Sequence, residues 1–291
     1  MSTKRLIGFG RRPSILPLLA IGLTVAAVLT GCSTNEPASI SHNTQDGHAA
    51  HEQHNHDGAA GADLATTLMV QVQPAEPRAG QPAVLHLMVH DAAGKMIRRF
   101  DTVHEKKAHL IIVREGLDQF AHLHPNVDDE GNFTTEYQFA TGGKYYLFLD
   151  QQPVGGKQAA VRAEVRVAGD ATAAPSLAPN VPGKVTTSDL VATISVENAA
   201  KGTPATIRFQ VADAAGKPVT DLEPYLGAMG HLVVISADGR EYAHAHPVAT
   251  KAPSGEVSFV AHFAKSGLYK GWGQFQRAGS VRTVPFVIEV K

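Results

Sequence analysis

The sequence is poor in the features on which most functional classes depend. It has one cysteine in 291 residues, at position 32, so no intramolecular disulfide can form and no cysteine is placed to serve as a nucleophile. Its formal net charge is −1, which gives no electrostatic footprint for a nucleic acid. The apolar spacing of a helix is missing throughout the two long segments described below, which excludes a helical bundle. No HExxH, glycine-rich phosphate loop or Ser/His/Asp set occurs, so hydrolytic and phosphoryl-transfer enzymes are not indicated. A copper oxidase or dismutase would need open coordination and further ligands, for which His262 is the nearest candidate. The expectation is a protein that is not an enzyme. What the chain has in excess is histidine, 15 residues.

Residues 1–32 have the layout of an export signal: Lys4, Arg5, Arg11 and Arg12, then an apolar run from Ile15 to Leu29. Leu29-Thr30-Gly31-Cys32 resembles a bacterial lipobox, cut before the cysteine that receives lipid. The lone cysteine stands at the one place this machinery requires it. Residues 33–66 are polar and small, with His42, His48, His51, His54 and His56 scattered along them, and read as a disordered His-rich tether. The mature chain is therefore expected to be extracytoplasmic and lipid-anchored to a bacterial membrane.

The remainder is a tandem repeat, residues 67–168 and 188–291, joined by an Ala- and Pro-rich linker at 169–187. From Gly80 to Pro125 against Gly202 to Pro247 the offset is 122 without a gap, and 15 of 46 aligned residues are identical. Each repeat has about seven short β-favouring runs bounded by turns, which predicts an all-β chain of two immunoglobulin-like β-sandwiches. In the second repeat the runs are Leu190–Val196, Ala205–Ala212, His231–Ile235, Tyr242–His246, Glu256–Phe263, Leu268–Gln276 and Thr283–Val290.

Three histidines recur in register: His109, His122 and His124, then His231, His244 and His246. In each repeat they flank a hairpin. With the turn at Asp238-Gly239 the paired residues sum to 477, so His231 faces His246, and His244 shares its side of the strand. The equivalent sum in the first repeat is 233. Cross-strand neighbours about 4.5–5.5 Å apart can bring three imidazoles to one metal ion.

Met229 precedes His231 by two residues. If the strand extends that far, its thioether joins the imidazoles and favours copper, particularly Cu(I), with zinc as the other candidate. Lys107 stands at the matching place in the first repeat, where an ammonium repels a cation. His104 in the same loop could replace it. Two unequal sites follow, the second repeat being the tighter. His86, His90 and His262 read as structural. The alternative is a structural or protein-interaction module at the cell surface, in which the histidines only close one end of a sandwich by hydrogen bonds.

Each repeat resembles the YtkA-like, FixH-related domains through Ala108-His109-Leu110 with Phe120-Ala121-His122-Leu123-His124-Pro125, and Gly230-His231-Leu232 with Tyr242-Ala243-His244-Ala245-His246-Pro247. The resemblance implies small extracytoplasmic β-sandwiches linked with copper or heavy-metal handling. The metal-handling reading carries the expectation of a metal-transfer partner protein.

Overall fold

The computed structural model describes residues 65–187, 189–247, 249 and 251–291. The export signal, Cys32 and residues 33–64 of the tether lie outside the described residues.

The first repeat folds into eight strands: β1 (Thr66–Gln73), β2 (Pro82–Asp91), β3 (Ala108–Arg114), β4 (Phe120–Leu123), β5 (Asn126–Val127), β6 (Phe133–Gln138), β7 (Gly143–Gln151) and β8 (Ala159–Val167). They form two antiparallel sheets, in the orders β1-β2-β6-β5 and β4-β3-β7-β8. This is the pairing of an immunoglobulin-like sandwich. Alternation drives it. Leu85, Leu87 and Val89 on β2 point inward and are buried, with half-buried residues between them, as the period of two requires. They meet Leu110, Ile112, Leu147 and Leu149 of the other sheet in one apolar core.

The second repeat repeats the plan with β9 (Gly183–Thr186), β10 (Val191–Glu197), β11 (Pro204–Ala212), β12 (His231–Ser236), β13 (Tyr242–Ala245), β14 (Glu256–His262), β15 (Gly267–Arg277) and β16 (Ser280–Val290). Its sheets run β14-β11-β10-β9 and β13-β12-β15-β16. All seven runs read from the sequence are strands, displaced by a few residues at their ends. The exception is β9, which pairs antiparallel with β10 inside the stretch read as linker. Its four residues alternate between half-buried and exposed, too short a pattern to stand out in an Ala- and Pro-rich segment.

Strands β3 and β12 break the alternation, because every residue of both is buried. One face of each fills its own sandwich, through Leu110 and Ile112 or Leu232 and Val234. The other faces meet each other: Ile111, Val113, Leu117, Tyr146 and Phe148 from the first repeat pack with Val233, Ile235 and Trp272 from the second. An uninterrupted apolar run such as Leu110–Val113 is what a strand covered on both sides needs.

Two aromatic stacks frame this contact, Phe120 on Trp272 at 4.6 Å and Tyr242 on Phe148 at 4.9 Å between ring centroids. They are the same contact made twice, since Phe148 pairs across its sheet with Ile111 and Trp272 with the corresponding Val233. The repeats thus meet with approximate two-fold equivalence, and each stack adds ~0.5–1.5 kcal/mol beyond its buried area.

Candidate metal centre between the repeats

The hairpins carrying the histidines have the expected register. Leu232 pairs with Ala245 and Val233 with His244, sum 477, and Leu110 with Leu123, sum 233. A four-residue loop closes each, fixed by the Ser236 amide donating to Glu241 O at 3.0 Å and the Arg114 amide donating to Gln119 O at 3.3 Å. His231, the first residue of β12, and His109, the second of β3, lie on the side that faces the other repeat. The two triads therefore do not form separate sites at the ends of two sandwiches. They converge on one buried cluster.

Rings from the two repeats interleave. His109 lies 5.1 Å from His244 and 6.1 Å from His231, and His122 lies 5.5 Å from His244. His104 joins them, stacked on His246 with centroids 3.4 Å apart. Two groups of three bring their ligating atoms within 4.8 Å of one another: His231, His244 and His246, and His109, His122 and His244. The second-repeat triad is intact. In the other group His244 takes the place expected of His124, whose ring lies 5.0 Å from His109.

Met229 is not among them. It is 7% exposed and packs in the apolar core of the second sandwich. Strand β12 starts only at His231, so the alternation that would have put Met229 beside the imidazoles does not reach it. Lys107 is also turned to another purpose, its ammonium donating to Phe100 O at 2.7 Å. The contrast between these two residues does not distinguish two sites.

Hydrogen bonds around the cluster set its chemistry. His109 Nε2 faces Val103 O at 3.2 Å, and His231 Nε2 faces Tyr225 O at 2.8 Å. A carbonyl only accepts, so both Nε2 atoms carry the proton. His244 Nδ1 donates to Asp150 Oδ2 at 2.9 Å, across the repeat interface. His122 Nδ1 donates to Gln274 Oε1 at 2.6 Å, again across it, and the Gln274 amide nitrogen donates to Thr283 Oγ1 at 3.3 Å, which holds the oxygen toward the ring. Asp150 and Gln274 are equivalent, one paired with His109 and the other with His231.

With these protons placed, the neutral rings turn bare nitrogens on one another. His109 Nδ1 and His122 Nε2 are 3.0 Å apart, and His231 Nδ1 and His244 Nε2 are 3.3 Å apart. Nε2 of His124 and Nε2 of His246 are buried without a partner. Lone pairs facing each other repel unless a proton or a metal ion lies between them.

A proton is disfavoured there. Burial first, and then neighbouring imidazoles, lower the pKa of His231 and of His124 to about 4. Burial holds His122, His244 and His246 well below the ordinary imidazole value, and lowers His109 as well. Asp150, 4% exposed, is raised by the same loss of water.

Sequence reasoning found six of the seven clustered histidines as ligands and named His104 as a substitute. It did not find Asp150 or Gln274. Both lie on the strand paired with the first histidine, and nothing local marks them. The signal for the convergence was present: apolar runs too continuous for a strand with a wet face.

The fold and the cluster define a pair of immunoglobulin-like sandwiches that share one imidazole-lined interface. A family model described as a domain of unknown function, DUF8832, matches residues 63–169 and again 185–291. The chain belongs to this family, as two tandem copies, and nothing in the comparisons links it to YtkA-like or FixH-related domains. No curated protein matches the sequence.

Among solved structures, invasin, a bacterial integrin-binding protein, aligns at 12% identity and a TM-score of 0.23 over 77% of this chain and 39% of its own. InvD of Yersinia pseudotuberculosis aligns at 12% and 0.25 over 78% and 57%. Domains 4 and 5 of the S-layer protein SbsC align at 15% and 0.20 over 77% and 98%. The chain thus spans less than two thirds of each of the first two, and similarity at these scores carries no functional information.

Proposed function

We propose that this protein is an extracytoplasmic lipoprotein that binds a transition-metal ion, copper or zinc, in the imidazole cluster between its repeats. One observation carries the reading: buried bare nitrogens held face to face at 3.0 and 3.3 Å by bonds on the far side of each ring. Two nitrogens at 2.0–2.1 Å from one ion are about 2.9 Å apart at a right angle and about 3.3 Å apart in a tetrahedron. Donation of the other ring nitrogen to a carbonyl, amide or carboxylate is the usual support of a metal-bound histidine. An all-imidazole set suits Zn²⁺, Cu²⁺ and Ni²⁺, and without Met229 the preference for Cu(I) loses its basis.

The function is binding and handling of the ion, with delivery to or from a partner protein. The membrane attachment rests on the lipobox: Cys32→Ser should leave unprocessed precursor that takes up no labelled lipid.

The test is titration of the full chain with His42, His48, His51, His54 and His56 replaced by Ser, so that the tether cannot contribute. Zn²⁺ or Cu²⁺ should remain bound after dialysis, and Co²⁺ should give the visible bands of a nitrogen-ligated ion. A protein that retains none of these would leave the structural alternative, in which the cluster is a clasp between two sandwiches.

A further inference from the structure

We infer that the cluster holds one ion per chain, shared by both repeats, with His244 as the common ligand and Asp150 as its positioning residue. This rests on the metal reading above. A tandem repeat with a triad in each copy suggests two sites, but both ligand groups in the structure include His244. An imidazole can serve two ions only by giving up both ring protons. His244 Nδ1 keeps its proton on Asp150 Oδ2 at 2.9 Å, which leaves Nε2 alone to coordinate. Occupation of one group therefore removes the ligand the other needs. One ion is held by His244 together with His231 and His246, or with His109 and His122.

Asp150 makes the two halves unequal. Its side chain is 5% exposed and that of His244 is 1% exposed. Its other oxygen accepts from Gln158 Nε2 at 3.0 Å. No Lys or Arg pairs with it among the described ion pairs, so a dication beside His244 supplies the charge that a buried carboxylate lacks. The equivalent Gln274 gives His122 the same orientation without the charge. The carboxylate also makes His244 the stronger base, and loss of such a partner weakens metal binding by about 10–100-fold.

The experiment uses the same full chain with a metal-free tether, competitive titration with Zn²⁺, Co²⁺ absorption and thermal melting of the metal-free form. One equivalent should bind, His244→Ala should abolish it, and His109→Ala and His246→Ala should each still bind one equivalent through the group left intact. Asp150→Asn keeps the shape, so circular dichroism should be unchanged while Zn²⁺ affinity falls about 10–100-fold. Its metal-free melting temperature should hold or rise, because an uncompensated buried charge is gone. Two equivalents, one spared by His109→Ala and the other by His246→Ala, would overturn the shared site. Unchanged affinity in Asp150→Asn, or a lower melting temperature of its metal-free form, would reduce Asp150 to a structural role and overturn its assignment. Absence of any Co²⁺ or Zn²⁺ signal in the parent protein would instead remove the metal reading itself.

Discussion

The two repeats have one backbone plan but have diverged where they touch. At the hairpin loop the second repeat has Gly239 at φ +66°, where an added Cβ would come within 2.3 Å of the Tyr146 ring. The first repeat has Leu117 at nearly the same φ, +55°, fully buried in the contact. One copy makes room and the other fills it. At the loop before the first histidine, His104 corresponds to Leu226, with φ of 49° and 52°. Behind the distal ring of the other repeat, Asp150 corresponds to Gln274. Symmetry positions the groups, and the substitutions make the halves complementary rather than redundant. Histidines that recur in register therefore need not mark independent sites.

The contact itself is the first thing to break. Trp272→Ala removes the larger of the two equivalent stacks from a 3%-exposed position. Truncating a buried aromatic of this size costs about 3–5 kcal/mol. Weaker metal binding is expected with it, because Asp150, His109 and His122 then no longer meet His244, which is left with His231 and His246. Melting temperature and Zn²⁺ titration of the variant check both, and a destabilised protein with full metal affinity would show that one repeat suffices.

Acid should loosen both halves together. His124 belongs to the first repeat and His231 to the second, and both have folded pKa values of about 4 against an ordinary 6.5. Below about pH 6.5 the unfolded chain takes up protons that these buried rings refuse, so stability is full above that pH and falls as it drops toward 4. His109, His122, His244 and His246 act in the same direction. Asp150, whose pKa is raised, takes its proton more readily when folded and offsets part of the loss. A net loss of ~2 kcal/mol would lower the melting temperature of the metal-free protein by roughly 4–8 °C. A melting temperature that does not change between pH 7 and pH 4.5 would contradict the buried, neutral state of the cluster.

The smallest effect is expected where sequence comparison alone pointed to the largest. Lys107→Met makes the first repeat match the second at the residue two before its histidine. Since Lys107 is bonded to Phe100 O and Met229 lies in a core, zinc and copper affinities should change less than threefold. A gain of ten-fold or more in Cu(I) affinity would restore the thioether to the site.

Much of this molecule could be read locally. Alternating apolar residues, turn signals and an ungapped repeat were enough for the seven strands named in the second repeat, for the hairpin register, and for six histidines gathered on two hairpins. These follow from a two-residue period and from loop length, which depend only on neighbours in the chain. The missed strand, Gly183–Thr186, is held by its partner β10 and not by any pattern of its own. Which triad faces which was beyond local reading, because it depends on two apolar faces finding each other over more than a hundred residues. Met229 went to the core because strand β12 begins two residues later, at His231. Asp150 reached His244, 94 positions away, only because the sheets pack face to face. Local periodicity sets which side of a strand a residue occupies; burial of the remaining apolar surface decides what stands opposite it.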